Sequence, residues 1–421
     1  MPFNLSFGLR GGEQDAAGLR LDNATNNRLT EEHEAHLHTV QGQTSPRDLA
    51  QVNKLHERVI NLVTKNTDES LRIEAIIARD PHSTRLMQSL TQQDNRGQNI
   101  LHDVIFRATW ADPGEERSKM YKLIAWLALN YPEMIEESDK RKGGDTPLHL
   151  GALSDAQCLA LLMQLDDNIA DIFRLKPEKD GGNTTLEERM KQTCNALIAT
   201  EGEAPACLYG WDTLLKSCPA TTNIQDANPV LLGLLDDARK GTSCIHEAWG
   251  INSKKSVLMN IYDFQVRFRS ALRKTSPAVS SSCLQTFITY DNRDWEDPRA
   301  METLEKIIEI GGQEILSVED PNGCSPIYYA AVEGPVLRPQ IIEALCRRDS
   351  KLVFKVSTTG SATATRRQSA FTYLRRRLQN NEDPKTRKIV RELHRLCIKN
   401  HEAHCDLDAL LGELYCDCES R

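Results

Sequence analysis

Zinc is the first chemistry suggested by the residue types near the C-terminus. His394, Cys397, His401, His404 and Cys405 fall on a predicted helix, with Cys416 and Cys418 beyond it. Spacings of three, seven and eleven from His394 place His394, Cys397, His401 and Cys405 near one helix face, and zinc accepts thiolate and imidazole ligands of this kind. A closed site usually draws two ligands from each of two elements, whereas Leu393, Leu396 and Ile398 give this same helix a core to face. The segment therefore reads as a packed or solvated helix with incidental Cys and His. Those four residues stand as metal candidates, and no cofactor is assigned.

A second histidine cluster, His33, His36 and His38, invites comparison with a metalloprotease helix. The H-E-x-x-H spacing requires the second His four positions after the first, and Leu37 stands there. The run 366–399 is basic. Arg366, Arg367, Arg375, Arg376, Arg377, Lys385, Arg387, Lys388, Arg391, Arg395 and Lys399 face only Glu382, Asp383 and Glu392. It is the one place where nucleic acid could be addressed, but only Phe371 and Tyr373 interleave, so a solvated basic face is the plainer reading. No Gly-x-Ser-x-Gly elbow, phosphate-cradling loop with its Lys, or paired C-x-x-C motif is found, and no catalytic residue is assigned.

The elements that would position such groups are helical. With 421 residues, 39% hydrophobic and only 5% aromatic, the chain favours aliphatic helix packing in several domains or one repeat array. A net charge of −8 argues against wholesale nucleic-acid binding. Twelve cysteines without a regular framework suit reduced thiols in a cytoplasmic or nuclear setting. Met1-Pro2-Phe3-Asn4-Leu5 lacks a signal-peptide pattern, and no stretch approaches the about 18 apolar residues of a membrane helix. Residues 1–45 read as a disordered arm. From Pro46, the apolar series Leu49, Val52, Leu55, Val59, Leu62, Val63 marks a leading helix within 46–70.

Self-similarity is the most informative signal. Four segments repeat a glycine turn, a small polar cap and an apolar helix start: Gly97-Gln98-Asn99-Ile100-Leu101-His102, Gly144-Asp145-Thr146-Pro147-Leu148-His149, Gly241-Thr242-Ser243-Cys244-Ile245-His246 and Gly323-Cys324-Ser325-Pro326-Ile327-Tyr328. Weaker echoes stand at Gly182 to Leu186 and around Phe371. Glycine permits the tight entry, Thr or Ser caps the first N–H groups, and Pro at the first helical position loses no bond. The apolar runs before each turn match as well. One of them, Leu304 to Ile310, predicts a helix ended at Gly311-Gly312.

These segments resemble the ankyrin repeat, with its G-x-T-P-L-H-x-A signature. The resemblance implies an all-α, irregular ankyrin-type helical repeat solenoid over 71–375 that works as a scaffold or adaptor for a protein partner. It also implies that His102, His149 and His246 are structural fasteners, and Tyr328 departs from that pattern. The spacings of 47, 97 and 82 positions between the fourth-site residues exceed the family's about 33, so insertions are expected at 107–117, at 200–228 and, the largest, at 250–299. The 376–421 segment reads as a basic helical tail with an acidic end. The whole also looks like the helical leader regions preceding subtilisin-like peptidase or effector domains in some filamentous fungi, which implies the regulatory leader of a larger effector. The alternative reading is a regulator that binds nucleic acid or zinc through the C-terminal helix.

Overall fold

The computed structural model describes residues 46–139, 144–154, 156–175, 184–189, 227–240, 257–275, 281–290, 295, 297–320, 324–333 and 339–349. The chain divides into two compact units, 1–51 and 52–421. The first is described only from Pro46, as the opening turns of helix α1, Pro46–Thr64. The arm 1–45, the tail 376–421 and the motif residues His246 and Gly323 lie outside the described residues.

Among the described residues every named element is helical, and pairing of the β type is confined to a single bridge, Thr275 with Ser282. Two short helices follow α1: α2, Ile73–Ala78, and α3, Ser83–Ser89. Helices α4, Ile100–Trp110, and α5, Glu115–Asn130, then form an antiparallel pair. Next come α6, Pro147–Ser154, α7, Ala156–Phe173, α8, Pro229–Lys240, and α9, Val257–Arg273. The series ends with α10, Cys283–Thr289, α11, Pro298–Ser317, α12, Pro326–Tyr328, which runs into a π turn over Tyr329–Glu333, and α13, Pro339–Arg348.

Two rows of helices result. In the first, α4 packs on α6, α6 on α10, and α10 on α12 with its π turn. In the second, α5 packs on α7 and α9, both of these on α11, and α11 on α13. The first-row helices lie on the second-row helix that follows them in sequence, as α4 on α5, α6 on α7 and α10 on α11. A continuous apolar core lies between the rows, from Val59 and Leu86 through Trp126, Leu162 and Phe264 to Ile307 and Leu345. Burying each such side chain contributes about 1.5–3 kcal/mol, so this core is the main force holding the rows together.

Two expectations are corrected here. The segment 250–299, expected to be the largest insertion, supplies α9 and α10. Leu258, Ile261, Phe264, Phe268, Cys283, Leu284 and Phe287 are fully buried, so these helices build the core and do not decorate it. The segment 107–117, also expected as an insertion, is only the end of α4, a tight connection and the start of α5. The helix expected to end at Gly311-Gly312 does so, with Gly312 (φ 62°, ψ −157°) outside the helical region, and a further helical stretch runs on to Ser317. The same device follows α5, where Tyr131 breaks the helix and a 3₁₀ turn, Pro132–Ile135, buries Met134 and Ile135. Each break turns a further apolar pair inward before the next turn begins.

Glycine requirements differ between two helices. The Gly312 backbone lies where essentially only glycine is stable, so Gly312→Ala should cost about 1–3 kcal/mol in chemical denaturation. Gly151 sits inside α6 with open space where a Cβ would go, so Gly151→Ala should instead stabilise by about 0.5–1 kcal/mol.

Candidate functional site

The turns that lead into α4, α6 and α12 share one backbone bond. Asp94 donates its N–H to the Gln98 carbonyl at 2.9 Å, Asp139 to the Asp145 carbonyl at 2.9 Å, and Asp320 to the Cys324 carbonyl at 3.2 Å. Each accepting residue immediately precedes a helix cap: Asn99, Thr146 or Ser325. The aspartate side chain organises the turn. Asp94 Oδ1 accepts from the N–H groups of Arg96 and Gln98 at 2.7 and 2.9 Å, and Asp320 Oδ1 accepts from the Cys324 N–H at 2.7 Å. Gly97 has φ 76° and Gly144 has φ 105°, the left-handed backbone that favours glycine.

The cap and the third helical residue then bond reciprocally. The Asn99 side chain accepts from the His102 N–H at 3.2 Å, and His102 Nδ1 accepts from the Asn99 N–H at 3.3 Å. The far side of the same ring, Nε2, donates to the Asp145 carbonyl at 3.1 Å. That carbonyl can only accept, so this bond belongs to the tautomer with the proton on Nε2; Nδ1 also lies 2.8 Å from the Asn99 Oδ1. One side chain thus caps its own helix and holds the turn of the next. A second tie runs beside it, from Gln98 Nε2 to Asp139 at 2.6 Å.

His149 repeats the arrangement less tightly. Thr146 Oγ1 lies 2.8 Å from His149 Nδ1, while Nε2 faces the backbone of Ser281 and Lys274 without closing a well-aligned bond to either. The next rung comes from a segment without a matching signature. Ser282 caps α10 by accepting from the Gln285 N–H at 3.2 Å, and Gln285 Oε1 accepts from the Ser282 N–H at 2.6 Å. Gln285 Nε2 then donates to the Cys324 carbonyl at 2.7 Å. The junction is therefore closed by His102 and by Gln285, with His149 in the corresponding position between them.

The fourth unit departs from the plan. Pro326 opens its helix after Ser325, but Ser325 makes no side-chain cap bond, which corrects the expectation of a capping Ser there. The neighbouring Tyr329 donates its phenol to Asp320 at 2.6 Å, tying helix to turn by another route. The candidate metal ligands His394, Cys397, His401 and Cys405 and the basic run 366–399 lie outside the described residues. Among the described residues no cluster of three or more His, Cys, Asp or Glu could hold a metal ion, and no helix is long and apolar enough to cross a membrane.

Several residues that the sequence did not single out matter for the arrangement. Asp94 and Asp320 stand three positions before a glycine in the turn, and this D-x-x-G spacing was the available signal. Buried His56 donates Nε2 to the Ser89 carbonyl at 2.9 Å, with Nδ1 3.7 Å from the Asp103 carboxylate. Helix α9 carries paired cations. Arg269 forks onto the buried Asp166 at 3.0 Å, and Arg267 reaches Glu136 at 2.8 Å and Asp263 at 3.0 Å. Burial, opposed by Arg269, pushes the Asp166 carboxyl above its ordinary range. Comparison of the chain with family models, with curated proteins and with solved structures returns no match.

Burial holds His102 and His149 below the ordinary imidazole range of 6.5, against the pull of Asp139, Asp103 and Asp94 on the first and Asp145 on the second. Below that pH the unfolded chain binds protons first, so the stability these histidines contribute is full above 6.5 and falls with acidification. Glu137, bonded to Asn99 and pushed up by burial, titrates in the opposite sense. Because Gln285 already performs the same bonding, His102→Gln combined with His149→Gln should fold and lose the histidine part of this pH dependence. His102→Leu, which strands the Asn99 N–H and takes from the Asp145 carbonyl one of its two bonds, should cost about 1–3 kcal/mol. Denaturation midpoints between pH 7.5 and 5.5 check both; equal pH slopes in the double variant and the wild type would refute the assignment.

Proposed function

We propose that this chain is an ankyrin-type repeat array whose function is to bind a protein partner as a scaffold or adaptor. The observation that carries the reading is the recurring junction, in which the third residue of one first-row helix reaches the carbonyl just before the next cap, from His102 to Asp145 and from Gln285 to Cys324. A junction of this kind adds units in one direction, each held by its neighbours, and yields an extended row of helices. Such a row presents successive helix faces and turn tips to one partner. His102 is engaged at both ring nitrogens, and His149 at Nδ1 by the cap residue Thr146.

In this reading the array is the irregular solenoid expected from the sequence, with its third well-formed unit at Ser282–Gln285. A cytoplasmic or nuclear setting belongs to the same proposal, as does a role as the regulatory leader of a larger effector. Cys158, Cys283, Cys324 and Cys346 are buried in the core.

Crosslinking mass spectrometry on the full chain in native extract tests the reading. It should recover a protein crosslinked to residues on α4, α6, α10 or the turns before them. Crosslinks confined to 366–399, or captured nucleic acid that salt releases and that Arg375→Ala with Arg376→Ala and Arg377→Ala abolishes, would move the function to the basic tail.

A further inference from the structure

Phe106 and Trp110 on α4 and Leu153 on α6 are the large apolar side chains that stand exposed among the described residues, at 51%, 75% and 42%. Single exposed apolar residues are ordinary, but these three are in register. Phe106 lies seven residues after the cap Asn99, and Leu153 seven after the cap Thr146. The bond from His102 to the turn at Asp145 fixes the two helices against each other, so it also sets Phe106 and Leu153 at the same level of adjacent helices. Trp110 is one turn beyond Phe106, their ring centroids 6.4 Å apart and tilted by 60°. The face is a stiff aromatic pair with an aliphatic neighbour, the composition that dominates binding energy in protein interfaces.

The charges beside Trp110 are unequal in availability. Arg117 spends its guanidinium on the Ala111 carbonyl, Arg107 lies 3.7 Å from Glu57, and Lys119 pairs with Glu115. Asp112, two residues after Trp110, and Glu116, in the first turn of α5, are exposed and enter no ion pair among the described residues. These three cations are thus engaged, while two carboxylates remain open; the exposed Lys122 lies two turns further along α5.

We infer that Phe106, Trp110 and Leu153 form a docking face for a basic, apolar peptide segment of a protein partner, with a Lys or Arg of that segment lying on Trp110 beside Asp112 and Glu116. The apolar side chains of the segment cover Phe106 and Leu153. Its cation gains both the face of the indole ring and the two open carboxylates. This deepens the interaction reading above and rests on it.

Two phage-displayed libraries of peptides about 16 residues long, alike in apolar pattern but with Lys and Arg in one and Asp and Glu in the other, test the proposal on the full chain. The basic library should enrich. A selected peptide should bind about tenfold more weakly to Trp110→Ala and several-fold more weakly to Asp112→Asn with Glu116→Gln, and it should weaken with salt. All three sites are exposed, so circular dichroism of the variants should match the parent. Enrichment of the acidic library, no enrichment, or selected peptides indifferent to Trp110→Ala would each overturn the proposal. So would a concentration-dependent dimer of the chain that Trp110→Ala abolishes in sedimentation, since a second copy would then own the face. Peptides that bind away from Trp110 leave the adaptor reading standing and remove only this docking face.

Discussion

A side chain at the third position of a short helix meets demands from two directions. Behind it, the cap residue has a backbone N–H that the helix cannot satisfy. Ahead of it, the next turn presents a carbonyl inside the core. His102 answers both, with Nδ1 on the Asn99 N–H and Nε2 on the Asp145 carbonyl, and Gln285 does the same between Ser282 and Cys324. A bond of this type contributes only about 1 kcal/mol net, while leaving the cap N–H buried and unpaired costs about 1–3 kcal/mol. The junction therefore acts less by adding stability than by penalising every other register. The apolar core supplies the cohesion, and the junction decides which residues face each other across it.

Helix α9 sets a second constraint, electrostatic in origin. It lies against α5, α7 and α11 and sends Arg269 to Asp166 on α7 and Arg267 to Glu136 in the connection after α5. A third contact, Arg273 with Glu314, reaches α11 at 3.0 Å. The Asp166 side chain is 1% exposed, so its pairing largely offsets a desolvation cost of several kcal/mol and adds little surplus. Removing one partner would leave that cost uncompensated. The pair thus holds α9 to one position on α7, much as the junctions hold the first row.

Legibility followed locality. The turn and cap grammar is written within a few consecutive residues, so Gly97, Thr146, Pro147 and the helix starts after them could be read directly. A long apolar stripe was equally plain in α1. The unit at Ser282 escaped because its third-position residue is Gln instead of His and its turn lacks the glycine, although a Ser cap followed by Gln at the third helical position is itself a helix-start signal. The same oversight made 250–299 look like an insertion. Pattern matching weighed the residue types of the signature, whereas the physical requirement was any side chain with an acceptor for the cap and a donor for the next turn.

By itself the sequence determined that the described residues are mostly helical and where the helices at Pro46, Ile100, Pro147 and Pro326 begin, and through its resemblance it pointed to His102 and His149 as structural groups. Those properties depend on bonds and periodicities spanning a few residues. Only the tertiary structure decided that Gln285 continues the junction, that α9 belongs to the core, and that Phe106 and Leu153 stand level on neighbouring helices. Each of these joins residues separated by roughly 40 to more than 100 positions, and the pairing is chosen by burial and unsatisfied polar groups in the folded chain, not by any local preference. The two-ended bond of His102 shows the division well: its near end can be read from Asn99 three residues away, and its far end exists only once the next turn has packed against it.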